Sequence, residues 1–447
     1  MKIKKILIAN RGEIAIRILR TCKELGIQTV CVHSTIDENS LHVKLADESV
    51  CIGGPKSTFS YLNIPSILSA AEITGADAIH PGFGFLSENK EFAEMCKKWE
   101  LEFIGPSKDC IEKMGDKILS KKLAEEAGLP ILKTLEVNSK TGVQLLQDVR
   151  ELGYPVLIKA SAGGGGRGMK CITKEEDLLS SIEKLKTEAK SSFKDDTLFI
   201  EKYIVRPRHI EVQILADRFG NIIHLGERDC TIQRRFQKII EESPSPILDD
   251  NLRQKMFDAA ISLCKYVNYD SVGTVEFLFD QDAQKFYFME MNTRIQVEHP
   301  ITEQRTGIDL IAQQIKVAQN ERIEFEQKDV VFTGHSMECR INAENPISGL
   351  PCPGKVLYYH RPAGIGIRVD DFIYSGYVVH PFYDSMLAKI IVSAPTRDQC
   401  LDRMKRALEE AVIEGIETNK DLHLKIIGHP DFRGNNYATT FLNSNLQ

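Results

Sequence analysis

The sequence predicts a mixed α/β and α+β protein, and three observations carry that reading. Strands and amphipathic helices alternate over roughly the first hundred residues. Strand pairs joined by short turns dominate from about residue 150 to residue 292. Short β-like runs then recur from about residue 331 onward.

Residues 4–10, KKILIAN, read as a buried strand. EIAIRILRTCKELGI follows, with Ile14, Ile18, Leu19, Cys22 and Leu25 on one helical face and Gly26 closing it. QTVCVHS completes a strand–helix–strand unit. DESVCIG, a helix over 63–74, the strand DAIHP, a helix over 89–98 and EFIGP extend the alternation, which predicts an open parallel sheet. The first turn lacks GxGxxG, so no dinucleotide site is read there.

From about 116 the character changes. A helix over 116–127 ends at Gly128-Leu129-Pro130, and GYPVLIKAS is a strand running into KASAGGGGRGMK. A lysine-rich helix spans 174–190, TLFIEKYI and HIEVQILAD are strands, and a turn at Asp217–Asn221 leads into IIHLGERD. GTVEFLFD and KFYFMEMN flank a turn at 280–285 as an antiparallel hairpin. In the last part GHSMECRINAE, GKVLYY and DSMLAKIIVSA are β-like, with a helix near 398–414. No repeat, low-complexity tract or Pro/Gly/Ser linker interrupts the chain, so its parts are expected to pack together.

The 447 residues suffice for about three domains at ~150 each. A net charge of -6 argues against a general polyanion binder, so a basic site must be local. Eleven cysteines show no CxxC and no zinc spacing. With no signal-type apolar segment after MKIKKILIAN, reduced thiols in a cytoplasmic compartment are expected. No apolar stretch of ~18 residues occurs, so no membrane association is expected.

Four stretches bear chemistry. Gly163–Gly166 and Gly168, flanked by Lys159, Arg167 and Lys170, form either a surface hinge or a phosphate cradle. GxxxxGK[ST] is absent, and a loop between two strands suggests a mobile flap. In residues 290–298 every even position is polar: Glu290, Asn292, Arg294, Gln296 and Glu298. An extended chain would line these along one face. Glu276, on the partner strand of the hairpin, could then share a divalent cation with Glu290. The competing reading is an amphipathic strand with a solvated face, but Glu276 is flanked by Val275, Phe277, Leu278 and Phe279, where a carboxylate is seldom left unpaired. ERDCTIQRRFQK (227–238) is either a surface charge cluster or a small-anion site; nucleic-acid binding fits less well with only Phe236 interleaved. ECRINAE (338–344) by itself is a strand with a polar face.

Taken together, IANRGEIAIRI, HPGFGFLSEN, MGDK, KASAGGGGRGM, ERDCTIQRR, EMNTRIQVEHP and ECRINAE closely resemble the biotin carboxylases of the ATP-grasp superfamily, almost end to end and in family order. In particular the chain resembles the separate subunit of bacterial and plastid acetyl-CoA carboxylases. The resemblance implies a Rossmann-like N-terminal domain (1–115), an ATP-grasp domain (116–330) with a mobile lid (about 131–204), and a β-rich C-terminal domain (331–447). It implies that Lys117, Lys159, Gly165, Gly166, Glu201, Lys202, Ile204, His209 and Gln233 bind ATP, with 201–204 reading adenine. Glu276, Glu290 and Asn292 would hold Mg2+ or Mn2+. Lys238, Arg294, Gln296 and Val297 would bind bicarbonate, and Glu298 would deprotonate it. Arg340 would steady the enolate-like form of biotin, with Phe83 in the biotin pocket.

Two residues depart from the family pattern. Phe83 replaces the usual tyrosine, and Phe236 stands where a histidine is common beside the nucleotide phosphates. No AMKM-type biotinylation motif occurs, since Met169-Lys170-Cys171 lacks the second methionine. The resemblance therefore implies a separate biotin carboxyl carrier protein and carboxyltransferase subunits as partners. It also implies a homodimer, with no nucleic-acid or membrane partner. Acetyl-CoA is the default acceptor of the full complex, with pyruvate or another acyl-CoA as alternatives. The runner-up is another ATP-grasp ligase that joins an acyl phosphate to an amine. A catalytically dead, RNA-binding relative is a third reading, disfavoured by the intact Glu276, Glu290, Arg294 and Glu298.

Overall fold

The computed structural model describes residues 2–138, 142–160, 168–193 and 195–445. Gly165, Gly166 and the rest of the oligoglycine run 163–166, with Arg167, lie outside the described residues.

The N-terminal part is a five-stranded parallel sheet in the order Glu48–Gly53, Gln28–Ser34, Lys5–Ile8, Ala78–His80, Glu102–Phe103. Helix Gly12–Glu24 buries Ile14, Ile18, Leu19 and Cys22 against this sheet. Ile16, on another face of the helix, packs against Phe372 and Ile373 of the C-terminal part. Leu25 departs from expectation: it is the helix cap and remains exposed, because the chain has already turned toward the next strand.

The centre is an eight-stranded antiparallel sheet. Its order is Lys285–Asn292, Ser271–Asp280, Pro207–Ala216, Ile222–Arg234, Gln237–Ser243, His335–Asn342, Met386–Ala394, Ile367–Asp371. Strands from beyond residue 331 thus continue the ladder of the preceding ones, through Ile240↔Cys339 and Glu241↔Glu338. A separate four-stranded sheet, Thr134–Glu136, Leu198–Lys202, Val156–Ala160 and Met169–Ile172, carries helices Gly142–Leu152 and Leu178–Phe193. It has its own core of Leu135, Val149, Val156, Ile158 and Leu185.

Several expected boundaries move. The helix expected over 116–127 is preceded by a second helix, Lys108–Gly115, and begins at Lys117 because the Asp116 side chain accepts from the Ile118 and Leu119 amides. The helix near 398–414 ends at Glu410, and Val412–Glu414 instead pairs with Tyr358–His360. The run 290–298 is extended only as far as Asn292. Its remainder turns into helix His299–Thr306, which has Glu298 as cap and Pro300 in its first turn. Among the described residues no helix is long and apolar enough to cross a membrane.

Candidate active site

A cleft of about 1410 Å³ opens between the three parts of the chain. Its floor comes from the central sheet. The hairpin register places Glu276 opposite Glu290 and Thr274 opposite Asn292. Glu276 Oε1 accepts from Lys238 Nζ and Asn292 Nδ2, both at 2.8 Å, and its Oε2 lies 2.9 Å from His209 Nε2. Burial works against the Glu276 carboxylate, but Lys238 and His209 outweigh it and hold the group well below its ordinary range. Glu290 moves the other way: burial and then the neighbouring Glu276 charge raise it.

Lys238 is the hub of the floor. Its Nζ donates to Glu211 at 2.6 Å and to Glu276 and Glu298 at 2.8 Å. Burial disfavours its charge, yet Glu211, Glu276 and Glu298 together keep it firmly protonated. Glu298 is fully buried behind the cleft wall, where Lys238 and Arg340 grip its two oxygens, each at 2.8 Å. Against the cost of burial, Lys238, Arg340 and Arg228 hold Glu298 well below the usual carboxylate range. Arg294 donates to Glu88 at 2.7 Å and to Asn292 and Gln296 at 3.0 Å.

The nucleotide-side candidates separate into two groups. Lys117, Lys159, Glu201, His209 and Gln233 line the cleft. Gln233 Nε2 is 2.9 Å from His209 Nδ1. Glu201 accepts from Lys121, from Lys159 at 2.5 Å and from Thr134 at 3.0 Å. Despite burial, Lys159 and Lys121 pull Glu201 down to about 2. The Lys202 and Ile204 side chains do not line the cleft. Lys202 Nζ caps the Gly153 and Tyr154 carbonyls at 2.9 and 3.1 Å, and Ile204 is buried. Backbone groups are what Lys202 and Ile204 can offer a ligand.

At the other end Gln296, Val297, Arg340 and Phe83 line the wall. Phe236 is largely exposed at the cleft margin, with a backbone φ of +66° in the hairpin after Arg234. The surface reading of the 227–238 cluster fails for its first half. Arg228 and Asp229 are fully buried, and Arg228 donates to Glu211 at 2.5 Å. Sequence reasoning missed Glu88, Glu211 and Glu241. A glutamate in HIEVQILAD, a strand buried along its whole length, was the available signal for Glu211.

Family descriptions match three consecutive stretches: biotin carboxylase, N-terminal domain, at 2–111; carbamoyl-phosphate synthase L chain, ATP binding domain, at 116–326; and biotin carboxylase C-terminal domain at 338–444. Over 98% of each chain, the protein is 52% identical to biotin carboxylase 1 of Bacillus subtilis (strain 168). The chain belongs to the biotin carboxylase family. This biotin carboxylase is therefore an ATP-dependent ligase of the ATP-grasp type. It is also 50% identical to a pyruvate carboxylase subunit of Methanothermobacter thermautotrophicus, over 98% of this chain and 89% of that one. Among solved structures it is similar to the biotin carboxylase domain dimer of Hydrogenobacter thermophilus 2-oxoglutarate carboxylase, which was crystallised with magnesium ADP, ADP and bicarbonate. That match has a TM-score of 0.92 and 46% identity, covering 99% of this biotin carboxylase and 98% of the other chain.

Proposed function

We propose that this protein uses ATP and bicarbonate to carboxylate biotin carried on a separate biotin carboxyl carrier protein. The observation that carries this reading is the pairing of an ionised, buried Glu298 with Lys238 and Arg340, on the same floor as Glu276 and Glu290.

The donor set fits a hard divalent cation. Glu276 and Glu290 stand opposite each other, and burial together with the Glu276 charge leaves Glu290 raised. Glu276, Glu290 and Asn292 would hold Mg2+ or Mn2+, which when bound offsets the negative charge of the ATP phosphates. Lys117, Lys159, Glu201, His209 and Gln233 bind the nucleotide, and so do Lys202 and Ile204 through their backbone.

Lys238, Arg294, Gln296 and Val297 bind bicarbonate. A negative ligand competes for Lys238 and so weakens its hold on Glu298. That raises Glu298 from a poor base toward one able to accept the bicarbonate proton. The freed oxygen attacks the γ-phosphorus of ATP, giving ADP and carboxyphosphate. Carboxyphosphate breaks to CO2 and phosphate, and the phosphate takes the ureido N–H proton of biotin. The nitrogen then attacks CO2 while Arg340 steadies the enolate-like oxygen.

As acceptor of the full complex we propose acetyl-CoA, through separate carboxyltransferase subunits, as the first half-reaction of fatty acid synthesis. Pyruvate and 2-oxoglutarate carboxylases among the relatives keep other acceptors in the test. The dimeric relative supports a homodimer. Eleven free cysteines, eight of them buried, suit the reducing cytoplasm. The deciding experiment measures ATP cleavage with bicarbonate, with and without free biotin, against a panel of amino acids. Cleavage that needs bicarbonate and rises with biotin is expected. Cleavage driven by an amino acid and indifferent to bicarbonate overturns the reading. Affinity capture of the biotinylated partner then identifies the acceptor.

A further inference from the structure

Arg340 sits between two buried acids. Its guanidinium is 2.8 Å from Glu298 Oε2 and 2.5 Å from Glu241 Oε1. The acids come from different elements: Glu298 caps helix His299–Thr306, and Glu241 lies on Gln237–Ser243, the strand beside that of Arg340. Both are fully buried. Among the described residues Arg340 is the only cation at ion-pair distance from Glu241, and no aligned hydrogen-bond donor reaches either Glu241 oxygen. The arginine backbone is fixed as well. Its carbonyl accepts from Asn419 Nδ2 at 3.0 Å and lies 2.7 Å from His423 Nε2.

We propose that Glu241 is a positioning residue for the carboxylation step, anchoring the Arg340 guanidinium from the sheet side so that it stays at the cleft wall when Glu298 takes up a proton. The inference rests on the reading of Glu298 as the base. When bicarbonate transfers its proton to the Glu298 carboxylate, Glu298 becomes a neutral acid. Its bond to Arg340 then loses one of its two charges and much of its strength. An arginine held by Glu298 alone would be released just as biotin must be bound and its oxygen steadied. Glu241 supplies a second hold that the chemistry does not neutralise.

The surrounding charges act in the same direction. Burial pushes Glu241 up to about 7 against the pull of Arg340, and the Glu298 charge adds to that push while Lys238 opposes it. Once Glu298 is neutral, its repulsion is gone and the ionised form of Glu241 is favoured. The grip of Glu241 on Arg340 therefore tightens as that of Glu298 loosens. Glu338, its cross-strand partner, is pushed well above its ordinary value by burial, against the pull of Lys389, and among the described residues no hydrogen-bond donor reaches its oxygens. It does not compete for the guanidinium.

The test uses the full chain with Glu241→Gln, Glu241→Asp, Arg340→Lys and the double variant E241Q/R340K. Bicarbonate-dependent ATP cleavage is measured with no biotin and with saturating free biotin. The E241Q change is expected to lower the biotin-dependent kcat roughly tenfold more than the biotin-free rate, as befits removal of a charge-assisted hold. E241D should recover part of the loss, and E241Q should add little in the R340K background. The wild-type biotin-dependent rate should also show an ionisation near neutral pH that E241Q lacks. Equal losses in the two assays, or full additivity with R340K, overturn the anchoring role. If E241Q does not fold, E241D carries the same comparison, and equal losses there overturn it too. A wild-type chain with no biotin-stimulated ATP cleavage overturns the functional reading and this inference with it, whereas the variant results sink the anchor alone.

Discussion

Replacing Lys238 by glutamine removes a cation shared by three buried carboxylates while nearly keeping the side-chain volume. It breaks the hydrogen bonds at 2.6 Å to Glu211 and 2.8 Å to Glu276 and Glu298. Charge-assisted bonds contribute about 1.5–3 kcal/mol each, which would sum to a very large loss. Each acid, however, retains a second partner. Arg228 stays on Glu211 at 2.5 Å, His209 and Asn292 stay on Glu276, and Arg340 stays on Glu298. The loss is thus closer to that of breaking one buried pair, about 3–5 kcal/mol. If it falls on the transition state, bicarbonate-dependent ATP cleavage drops by a factor of about 10²–10⁴.

A pH signature accompanies the drop. Glu298 is held low chiefly by Lys238, so its ionised form is present above that low value and is lost as pH falls through it. Without Lys238 the carboxyl rises, and the acid limb of the pH–rate profile moves to higher pH. The assay is steady-state ATP cleavage at saturating bicarbonate across pH 5–9, with thermal unfolding run in parallel. A folded Lys238→Gln protein with a rate within about threefold of wild type, or with an unmoved acid limb, would refute the assignment of Lys238 as the partner of the base.

Glu290→Gln removes one of two facing carboxylates. The raised Glu290 favours folding only while protonated, below its unfolded value, and costs stability at neutral pH, so the variant should melt higher than wild type without divalent cations. It should also need roughly tenfold or more Mg2+ for half-maximal ATP cleavage; a lower melting temperature and an unchanged Mg2+ requirement would count against the paired-carboxylate site. Phe236→His restores a hydrogen-bonding group at the cleft margin and should lower the ATP KM severalfold, by about one net hydrogen bond. An unchanged ATP KM means that Phe236 does not face the nucleotide. Lys389→Met leaves Glu13, 3.1 Å from the missing ammonium, buried without its counter-charge and strips the Val297 carbonyl of its 2.9 Å donor. Denaturant unfolding should show a loss of about 3–5 kcal/mol, and a loss under ~1 kcal/mol would show that Glu13 is already neutral.

The parallel sheet was legible because periodicity changes sharply between Lys5–Ile8, Gly12–Glu24 and Gln28–Ser34, and, Leu25 at the helix cap apart, the apolar face read from the helix is the buried one. The hairpin of Glu276 and Glu290 was legible for the same reason, down to the facing register. The alternation over 290–298 grouped residues that do lie close together, but for a partly wrong reason. Only Glu290 and Asn292 belong to the strand; Arg294 and Gln296 reach the cleft from the loop that follows, and Glu298 sits behind its wall as a helix cap. Pro300, which fits the first turn of a helix, was the missed signal. What periodicity could not show is which strands become neighbours. Glu88 comes from the parallel-sheet domain, Glu211 from mid-sheet and Glu241 from the edge of an acidic pair. Each meets its cation across at least 17 residues of sequence, and Glu88 meets Arg294 across 206. Arg340 read as an ordinary strand residue until the family resemblance gave it a role. Its partners lie on a helix cap and a strand that no local pattern links to it.

The continuous central sheet also decides which candidate residues are fixed relative to one another. Strand Gln237–Ser243, which carries Lys238 and Glu241, is hydrogen-bonded to His335–Asn342, which carries Arg340. The cations gripping Glu298 therefore share one ladder, although one comes from the ATP-grasp stretch and the other from the C-terminal stretch. Separating those stretches would break strand pairing, not a loose interface. Among the described candidates, only Lys159, Glu201 and Lys202 belong to the four-stranded unit with its own core. The two cations that grip Glu298, Lys238 and Arg340, are thus fixed on neighbouring strands of one sheet. The candidate nucleotide residues are instead divided between that sheet and a separately packed four-stranded unit.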